Sequence, residues 1–202
     1  MTDLTVYRRR LAENFVRPAR SVGEVTADVL RGVGLVSLVV IAFGWGFVDM
    51  AVFALAMLGV VLPRFLGARA TLDVAVCIAV LVAAWSAVLD LYAAISWWDI
   101  VVHCSLNGLI AAIAWVLCTQ LGVSIVGSGV RHRFALTVVM TTAFGLALGA
   151  MWEMWEWLGH TYLDDDIYVT YTDTIGDLVA GGIGPVIAGC SMGFLAGANR
   201  GE

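Results

Sequence analysis

The sequence has no lysine, only three prolines and little charge of either sign, and long apolar runs dominate it instead. Only 13% of the residues are charged and 61% are hydrophobic, whereas a soluble domain has about a quarter charged and about half apolar residues. All eleven basic residues are arginines, and no basic face is interleaved with aromatic residues, so nucleic-acid binding has no support. The mean hydropathy of +0.92 predicts an integral membrane protein that is almost entirely embedded.

The sequence also has neither a Cys-x-x-Cys pair nor the features of a cleavable signal peptide. The four cysteines form no Cys-x-x-Cys pair and lie within apolar runs, which is typical of small buried hydrophobic side chains. Because the polar residues 1–31 precede the first apolar run, no cleavable signal is expected. We predict that residues 1–31 form a basic, partly helical cytoplasmic segment and that residues 32–198 form the transmembrane domain.

Six apolar runs predict the membrane-spanning helices of an all-α bundle. They lie at about 32–48, 49–63, 71–93, 99–121, 134–158 and 174–198. A crossing helix needs about 20 residues, with about 17 as the practical minimum, so the last four runs are long enough. The first two runs are short, and Asp49, close to Gly44 and Gly46, marks the predicted turn between them. The alternative is one long tilted span, which gives five crossings in all.

The arginines distinguish between these two topologies. With six spans and a cytoplasmic N-terminus, every arginine lies in the N-terminal segment, in the loops 64–70 and 122–133, or at the C-terminus. The opposite loops, near Asp49 and at 94–98 and 159–173, contain no arginine. Basic residues concentrate on the cytoplasmic side of membrane proteins. We therefore predict six spans, both termini in the cytoplasm, and a location in the bacterial inner membrane.

Three of the predicted spans carry polar residues near their extracytoplasmic ends, in the stretches "WWDIVVHCSLNG", "MWEMWEWLGH" and "YTDTIGDLVAGG". Spacings of three or four residues place the members of each set on one helical face. The sets are Asp99, His103 and Asn107 in the fourth span, Glu153, Glu156 and His160 in the fifth, and Asp173 and Asp177 in the sixth. Asp90, near the outer end of the third span, is a further candidate. The sequence therefore predicts a shared acidic site at one membrane depth, flanked by interfacial tryptophans.

The cost of burying acids supports a function for this site. An acid at the centre of a bilayer costs roughly 2.5–3.5 kcal/mol, and no arginine is predicted near these residues. Asp99 and Asp173 can also be interpreted as acids that stabilise the start of their own helices. Glu153 and Glu156 lie at a helix C-terminus, where the helix dipole disfavours an anion. Three forms of compensation remain open: protonation, a bound cation, or a water-filled cleft.

A divalent metal ion fits this combination of residue types. The predicted ligands are Asp99, His103, Glu153, Glu156, Asp173 and Asp177, and His103 and Glu153 are also the predicted catalytic residues. Carboxylates with one histidine favour a hard or borderline ion such as Mg, Mn, Ca, Fe or Zn, and the sequence leaves the choice open. The signature His-Glu-x-x-His of zinc hydrolases is absent. The run Asp164–Asp166 lacks the pattern of a calcium loop and is interpreted as a solvated surface.

The ordered motifs "WDIVVH", "GAMWEMWEW" and "YTDTIGDLVAGGIG" resemble those of the YjdF-like family of bacterial inner-membrane proteins and, more remotely, of the VanZ-like proteins. The resemblance covers about residues 71–198 and marks the same six predicted ligands. The YjdF-like family has no settled activity. The VanZ-like group is associated with lowered sensitivity to glycopeptide antibiotics, which implies an action at the cell envelope.

Three functions are compatible with these observations. The first is a metal-dependent enzyme that acts on an envelope lipid or lipid-linked precursor, with His103 or Glu153 as general base. The second is a proton or cation carrier, for which Thr137, Thr141 and Thr142 are the only candidates for an inner polar route. The third is a non-enzymatic envelope protein with a structural acid network. The expected partners are membrane lipids, and the glycines of the last two spans predict close packing within the bundle or in a homo-oligomer.

Overall fold

The computed structural model describes residues 3–123, 131–163, 167 and 169–196, and every regular element among them is helical. The all-α class that the composition predicts is confirmed for this part of the chain. The helices fall into two compact units, one that extends to Ala94 and one that comprises Ile95–Phe194.

The first unit contains three long helices, which pack against one another, and two shorter ones. In chain order these are α1 (Asp3–Val16), α2 (Val22–Gly44), α3 (Phe47–Phe65), α4 (Ala70–Val88) and α5 (Leu91–Ala94). Its core includes the fully buried side chains of Ile41, Phe53 and Cys77. The rings of Phe15 and Phe65 stack with their centroids 4.4 Å apart, which holds α1 against α3.

Helix α2 begins at Val22, well before the apolar run that starts at about residue 32. The side chain of Ser21 accepts a hydrogen bond from the backbone N–H of Glu24, and the carboxylate of Glu24 accepts one from the backbone N–H of Arg20 at 2.7 Å. These bonds satisfy N–H groups that have no partner inside the helix. The helix therefore starts at its polar cap, and the apolar run marks only its later part.

The connections of the first unit agree in part with the predicted turns. α2 ends at Gly44 and α3 starts at Phe47, so the predicted pair of separate helices is confirmed. The break lies at residues 45–46, however, and Asp49, the predicted turn, lies in the first turn of α3. The third apolar run was expected to continue to about residue 93, but α4 ends at Val88. The chain then turns through Asp90, whose φ of 53° lies in the left-handed region, before the short α5.

The second unit contains three mutually packed helices, α6 (Trp98–Gln120), α7 (Arg133–Tyr162) and α8 (Tyr171–Cys190). Glycines let α8 approach its neighbours closely: a β-carbon at Gly184 would overlap the carbonyl oxygen of Cys104, and one at Gly189 would lie 2.8 Å from the Cα of Val138. The predicted run 174–198 is not one helix, because α8 ends at Cys190 and the short α9 (Met192–Leu195) follows.

Five helices of the described chain are long and apolar enough to cross a membrane: α2, α3, α4, α6 and α7. α8 is not among them, since two aspartates and several glycines lower its hydropathy. The protein is therefore multi-pass by length and composition.

Candidate functional site

Three helix ends of the second unit meet around His103. The first two turns of α6 carry Asp99 and His103, the last part of α7 carries Glu153 and Glu156, and the first two turns of α8 carry Asp177. Because α7 runs opposite to α6 and α8, its end lies beside their beginnings. The spacing of four residues in α6 and of three in α7 turns each set towards the same side of its helix.

The imidazole of His103 lies close to a carboxylate of each of the three helices. Its Nε2 atom is 3.3 Å from Asp99 Oδ1, on the same helix. Its Nδ1 atom is 3.8 Å from Glu153 Oε1 on α7 and 3.9 Å from Asp177 Oδ1 on α8. The last two distances are too long for hydrogen bonds. His103 is therefore surrounded by acids without being fixed by a hydrogen bond to Glu153 or Asp177.

Two groups of three residues have the spacing of metal ligands. The first triad is Asp99, His103 and Asp177, the second triad is His103, Glu153 and Glu156, and the ligand atoms of each triad lie within 4.8 Å of one another. Bonds from zinc to nitrogen or oxygen are about 2.0–2.2 Å long, so two ligand atoms of one ion are roughly 3–4 Å apart. Small side-chain movements would bring either triad to coordination distances.

The site is buried and lacks a basic partner. His103, Glu153 and Asp177 are buried, whereas Asp99 and Glu156 are partly exposed. Among the described residues, no arginine forms an ion pair with these acids, and the arginines of this unit, Arg131 and Arg133, lie at or just before the opposite end of α7. The three forms of compensation expected from the sequence therefore remain: a cation, protons or water.

A layer of small residues lies directly beneath the acids. Asn107 is one turn beyond His103 on α6, and it is buried between Gly149 of α7 and Gly181 of α8. A β-carbon at Gly149 would lie 3.2 Å from the side-chain oxygen of Asn107, and one at Gly181 would lie 3.0 Å from its side-chain nitrogen. The two glycines thus make room for one buried amide, which forms the polar floor of the site.

The other predicted site residues lie outside both triads. Asp173 is in the first turn of α8, where its backbone N–H donates to the side chain of Thr170, so its role as a ligand stays a prediction. His160 Nδ1 is 2.7 Å from the carbonyl oxygen of Ile167. Asp90 belongs to the first unit. Asp164–Asp166 lie outside the described residues.

The cysteines match the sequence interpretation only in part. Cys77 is buried in the core of the first unit, but Cys104 and Cys118 are partly exposed and Cys190 is exposed. None of the four forms a disulfide, and none belongs to either triad.

A second group of buried charges, in the first unit, was not predicted. Arg31 of α2 forms ion pairs with Asp28 of α2 and Asp73 of α4, and its Nε atom donates to the carbonyl oxygen of Val60 at 2.9 Å. Arg64 lies 3.6 Å from Asp28. The spacing of Asp28 and Arg31 by three residues was the available signal, but nothing in the sequence joins them to Asp73. This network ties α2, α3 and α4 together.

These features define a multi-pass helical membrane protein with a histidine and acid site built by three helices. A family model described as "Predicted membrane protein (DUF2238)" matches residues 29–197, and the chain therefore belongs to this family. No curated protein and no solved structure matches the chain. The likeness to the VanZ-like proteins stays a prediction.

Proposed function

We propose that this protein is a metal-dependent enzyme of the bacterial inner membrane that acts on a phosphate-bearing envelope lipid or lipid-linked precursor. The observation that carries the proposal is the position of His103, whose ring nitrogens lie 3.3–3.9 Å from carboxylates of three different helices. Acids gathered on one helix face are common, but three helices converging on one buried imidazole form a preorganised ligand set.

The residues of the site divide into ligands and a candidate base. His103 and Glu153 are both candidates for the base, but each also belongs to a triad, so metal binding would compete with proton transfer at the same side chain. Asp173 lies one turn outward from Asp177 and outside both triads, which makes it a further candidate for the base. A divalent ion bound here would lower the pKa of a bound water and polarise a phosphate oxygen. The side-chain amide of Asn107 would form the polar floor of the site.

The orientation of the site is part of the same proposal. Six spans with both termini in the cytoplasm place every arginine on one side of the membrane and the acidic site on the other. Trp152, Trp155 and Trp157 surround the acids on α7 and are exposed, as expected of side chains that anchor a helix at the membrane surface. A site at that depth is accessible to lipid headgroups.

A carrier function has less support than an enzyme. The hydroxyls of Thr137, Thr141 and Thr142 each donate to the carbonyl oxygen four residues earlier in α7, at 2.8–2.9 Å. These threonines are therefore satisfied within their own helix and offer no continuous polar route towards the other side.

The test is a comparison of the wild-type protein with the Glu153→Ala variant, purified in detergent. We expect the wild type to contain a divalent metal by elemental analysis and to release phosphate or a soluble headgroup from bacterial lipid vesicles. Glu153→Ala should lose most of both. Asp49→Asn, which removes an acid from the first turn of α3, is the matched control and should retain both. If Glu153→Ala keeps the metal content of the wild type, the metal site is wrong. If Glu153→Ala loses the metal but the wild-type protein itself releases neither phosphate nor headgroup, the result favours the structural acid network.

A further inference from the structure

Two groups of arginines lie in the first unit. Those of the first group form ion pairs with acids of α2 and α4, and they are Arg17, Arg31 and Arg64. Those of the second group are exposed on α1 and on the link before α2, and they are Arg8, Arg9, Arg10 and Arg20. Arg9 pairs with the exposed acid Glu13. Within the described ranges the other three of the second group form no ion pair, so their charges have no partner there.

Helix α1 is fixed at one end of the helix bundle of the first unit. The side-chain amide of Asn14 donates a hydrogen bond to the carbonyl oxygen of Phe65 at 3.1 Å, and the ring of Phe15 stacks on that of Phe65. The guanidinium of Arg64 donates to the carbonyl oxygen of Arg17, directly after α1. Because Phe65 is the last residue of α3, these contacts hold α1 and its exposed arginines at the level where α3 ends.

The length and the apolar face of α2 give an independent observation on the depth of this end. α2 has 23 residues, and a rise of about 1.5 Å per residue makes it roughly 34 Å long, whereas the hydrocarbon core of a bilayer is about 30 Å thick. Its exposed apolar face starts at its first residue and comprises Val22, Val25 and Val29, which a spacing of three and four residues places on one side. Val16, at the end of α1, is 75% exposed, and Val22 is 84% exposed. The apolar outer surface of the span therefore extends to the link between α1 and α2, which lies at the depth of the lipid headgroups.

We propose that Arg8, Arg10 and Arg20 bind the headgroups of anionic lipids, so that α1 and the link before α2 form a docking surface for a negatively charged membrane leaflet. Exposed cations beside exposed apolar side chains are the combination by which a helix lies on a membrane surface. An anionic lipid fits this surface better than a soluble acidic partner, because only the membrane removes Val16 and Val22 from water as well. Lipid binding here requires no metal in the second unit, and it therefore goes beyond the proposed function.

The experiment measures lipid binding to the full-length protein in detergent by native mass spectrometry. Phosphatidylglycerol, which is anionic, and phosphatidylcholine, which has no net charge, are added with the same acyl chains, and the dissociation constant of each is determined. We expect the wild type to bind phosphatidylglycerol more tightly than phosphatidylcholine. The variant with Arg8→Gln, Arg10→Gln and Arg20→Gln should bind phosphatidylglycerol at least about five-fold more weakly, which is the contribution of one arginine at an anionic surface. Its affinity for phosphatidylcholine should stay that of the wild type.

Two control variants separate lipid binding from other roles of these arginines. Arg9→Gln removes an arginine that Glu13 already neutralises, so it should weaken phosphatidylglycerol binding much less than the triple variant does. Lysine at positions 8, 10 and 20 should retain the preference, because a charged surface attracts either cation. If the triple glutamine variant does not fold, Arg8→Gln with Arg10→Gln, which leaves the link to α2 intact, measures the same loss. Equal affinity of the wild type for both lipids, an unchanged affinity of the glutamine variants, or loss of the preference in the lysine variant would each overturn the proposal.

Discussion

At the scale of single residues, His103 and Arg31 show two ways of accommodating polar groups in an apolar helix bundle. Each is surrounded by carboxylates of its own helix and of neighbouring helices within its unit. Arg31 forms ion pairs with Asp28 and Asp73, and Arg64 supplies a second positive charge 3.6 Å from Asp28. The imidazole of His103 has acids at 3.3–3.9 Å and no permanent positive charge with which to balance them. The first arrangement balances its charges with arginines, and the second needs a cation, protons or water.

Replacing His103 by alanine tests this difference. Since a ligand that binds only the folded state stabilises it, a divalent cation at about 100 times its dissociation constant should stabilise the wild type by about 2.7 kcal/mol. The His103→Ala variant removes the residue common to both triads and should lose most of this stabilisation. The measurement is thermal unfolding in detergent, with and without Mn²⁺ or Mg²⁺. A metal-dependent increase in Tm of the same size in His103→Ala would contradict the assignment.

Replacing Arg31 by glutamine should have a larger effect on the unloaded protein. Breaking a buried ion pair by removing one partner costs about 3–5 kcal/mol, because Asp73 would remain buried and charged. The exposed pair of Arg9 and Glu13 is the control, and Arg9→Gln should cost only about 0.5 kcal/mol. The measurement is the free energy of unfolding of both variants in the same detergent. Equal effects would show that the network contributes no more than a surface pair.

At the scale of the elements, the glycines of α8 have two different roles. Gly181 and Gly184 face α6 at close range: a β-carbon at Gly184 would overlap the backbone of Cys104, and one at Gly181 would lie 3.0 Å from the side chain of Asn107. Gly176 has no atom within 4 Å of the place where a β-carbon would be. The recurring small residues are a packing signal in the sequence, but the sequence alone does not distinguish a glycine at a contact from one at a free surface. The distinction depends on the partner helix.

Alanine substitutions at two positions of α8 test the packing. Gly184→Ala should destabilise the protein by at least about 1–3 kcal/mol, because its β-carbon overlaps the backbone of α6 at Cys104. Gly176→Ala should have no cost and should stabilise the helix by about 0.5–1 kcal/mol, since alanine loses less backbone entropy than glycine. Thermal unfolding of the two variants measures the difference. A Gly184→Ala protein as stable as wild type would show that α6 and α8 are not in such close contact.

The helix boundaries show how far hydropathy predicts an element. The separation of α2 from α3 was predicted from the glycines and Asp49 and is confirmed, although the break at residues 45–46 comes before Asp49. The start of α2 was missed by hydropathy, because Ser21 and Glu24 cap the helix outside the apolar run. The end of the last helix was also missed: an apolar composition continues past Cys190, but the regular helix does not.

At the scale of the whole molecule, the proposed topology makes the two ends of the helices chemically different. In that topology, the ends that carry arginines would face the cytoplasm, and the ends that carry His103 and its acids would face the opposite side. Five helices qualify as spans by length and composition. A sixth crossing is proposed, and α8 would form it. The two aspartates of α8 lower its hydropathy, and one of them, Asp177, belongs to the candidate site.

Reporter fusions test the crossing number directly. Alkaline phosphatase, which is active only outside the cytoplasm, should be active when inserted in the segment 159–173 and inactive when fused after residue 202. A fluorescent protein fused after residue 202 should be fluorescent, because it folds in the cytoplasm. An active phosphatase at the C-terminus together with an active one in the segment 159–173 would exclude a sixth crossing.

The sequence by itself determined the all-α membrane class and placed the candidate site residues near the ends of three helices. Hydropathy marks an apolar helix without any knowledge of its neighbours, and a spacing of three or four residues places Glu153 and Glu156 on one face. Only the tertiary structure decided that Asp99, His103 and Asp177 form one triad and His103, Glu153 and Glu156 another, with Asp173 and His160 outside. It also decided that Arg31 compensates Asp73. Contacts between helices depend on packing distances of a few ångströms, and the periodicity of a helix carries no information about these distances.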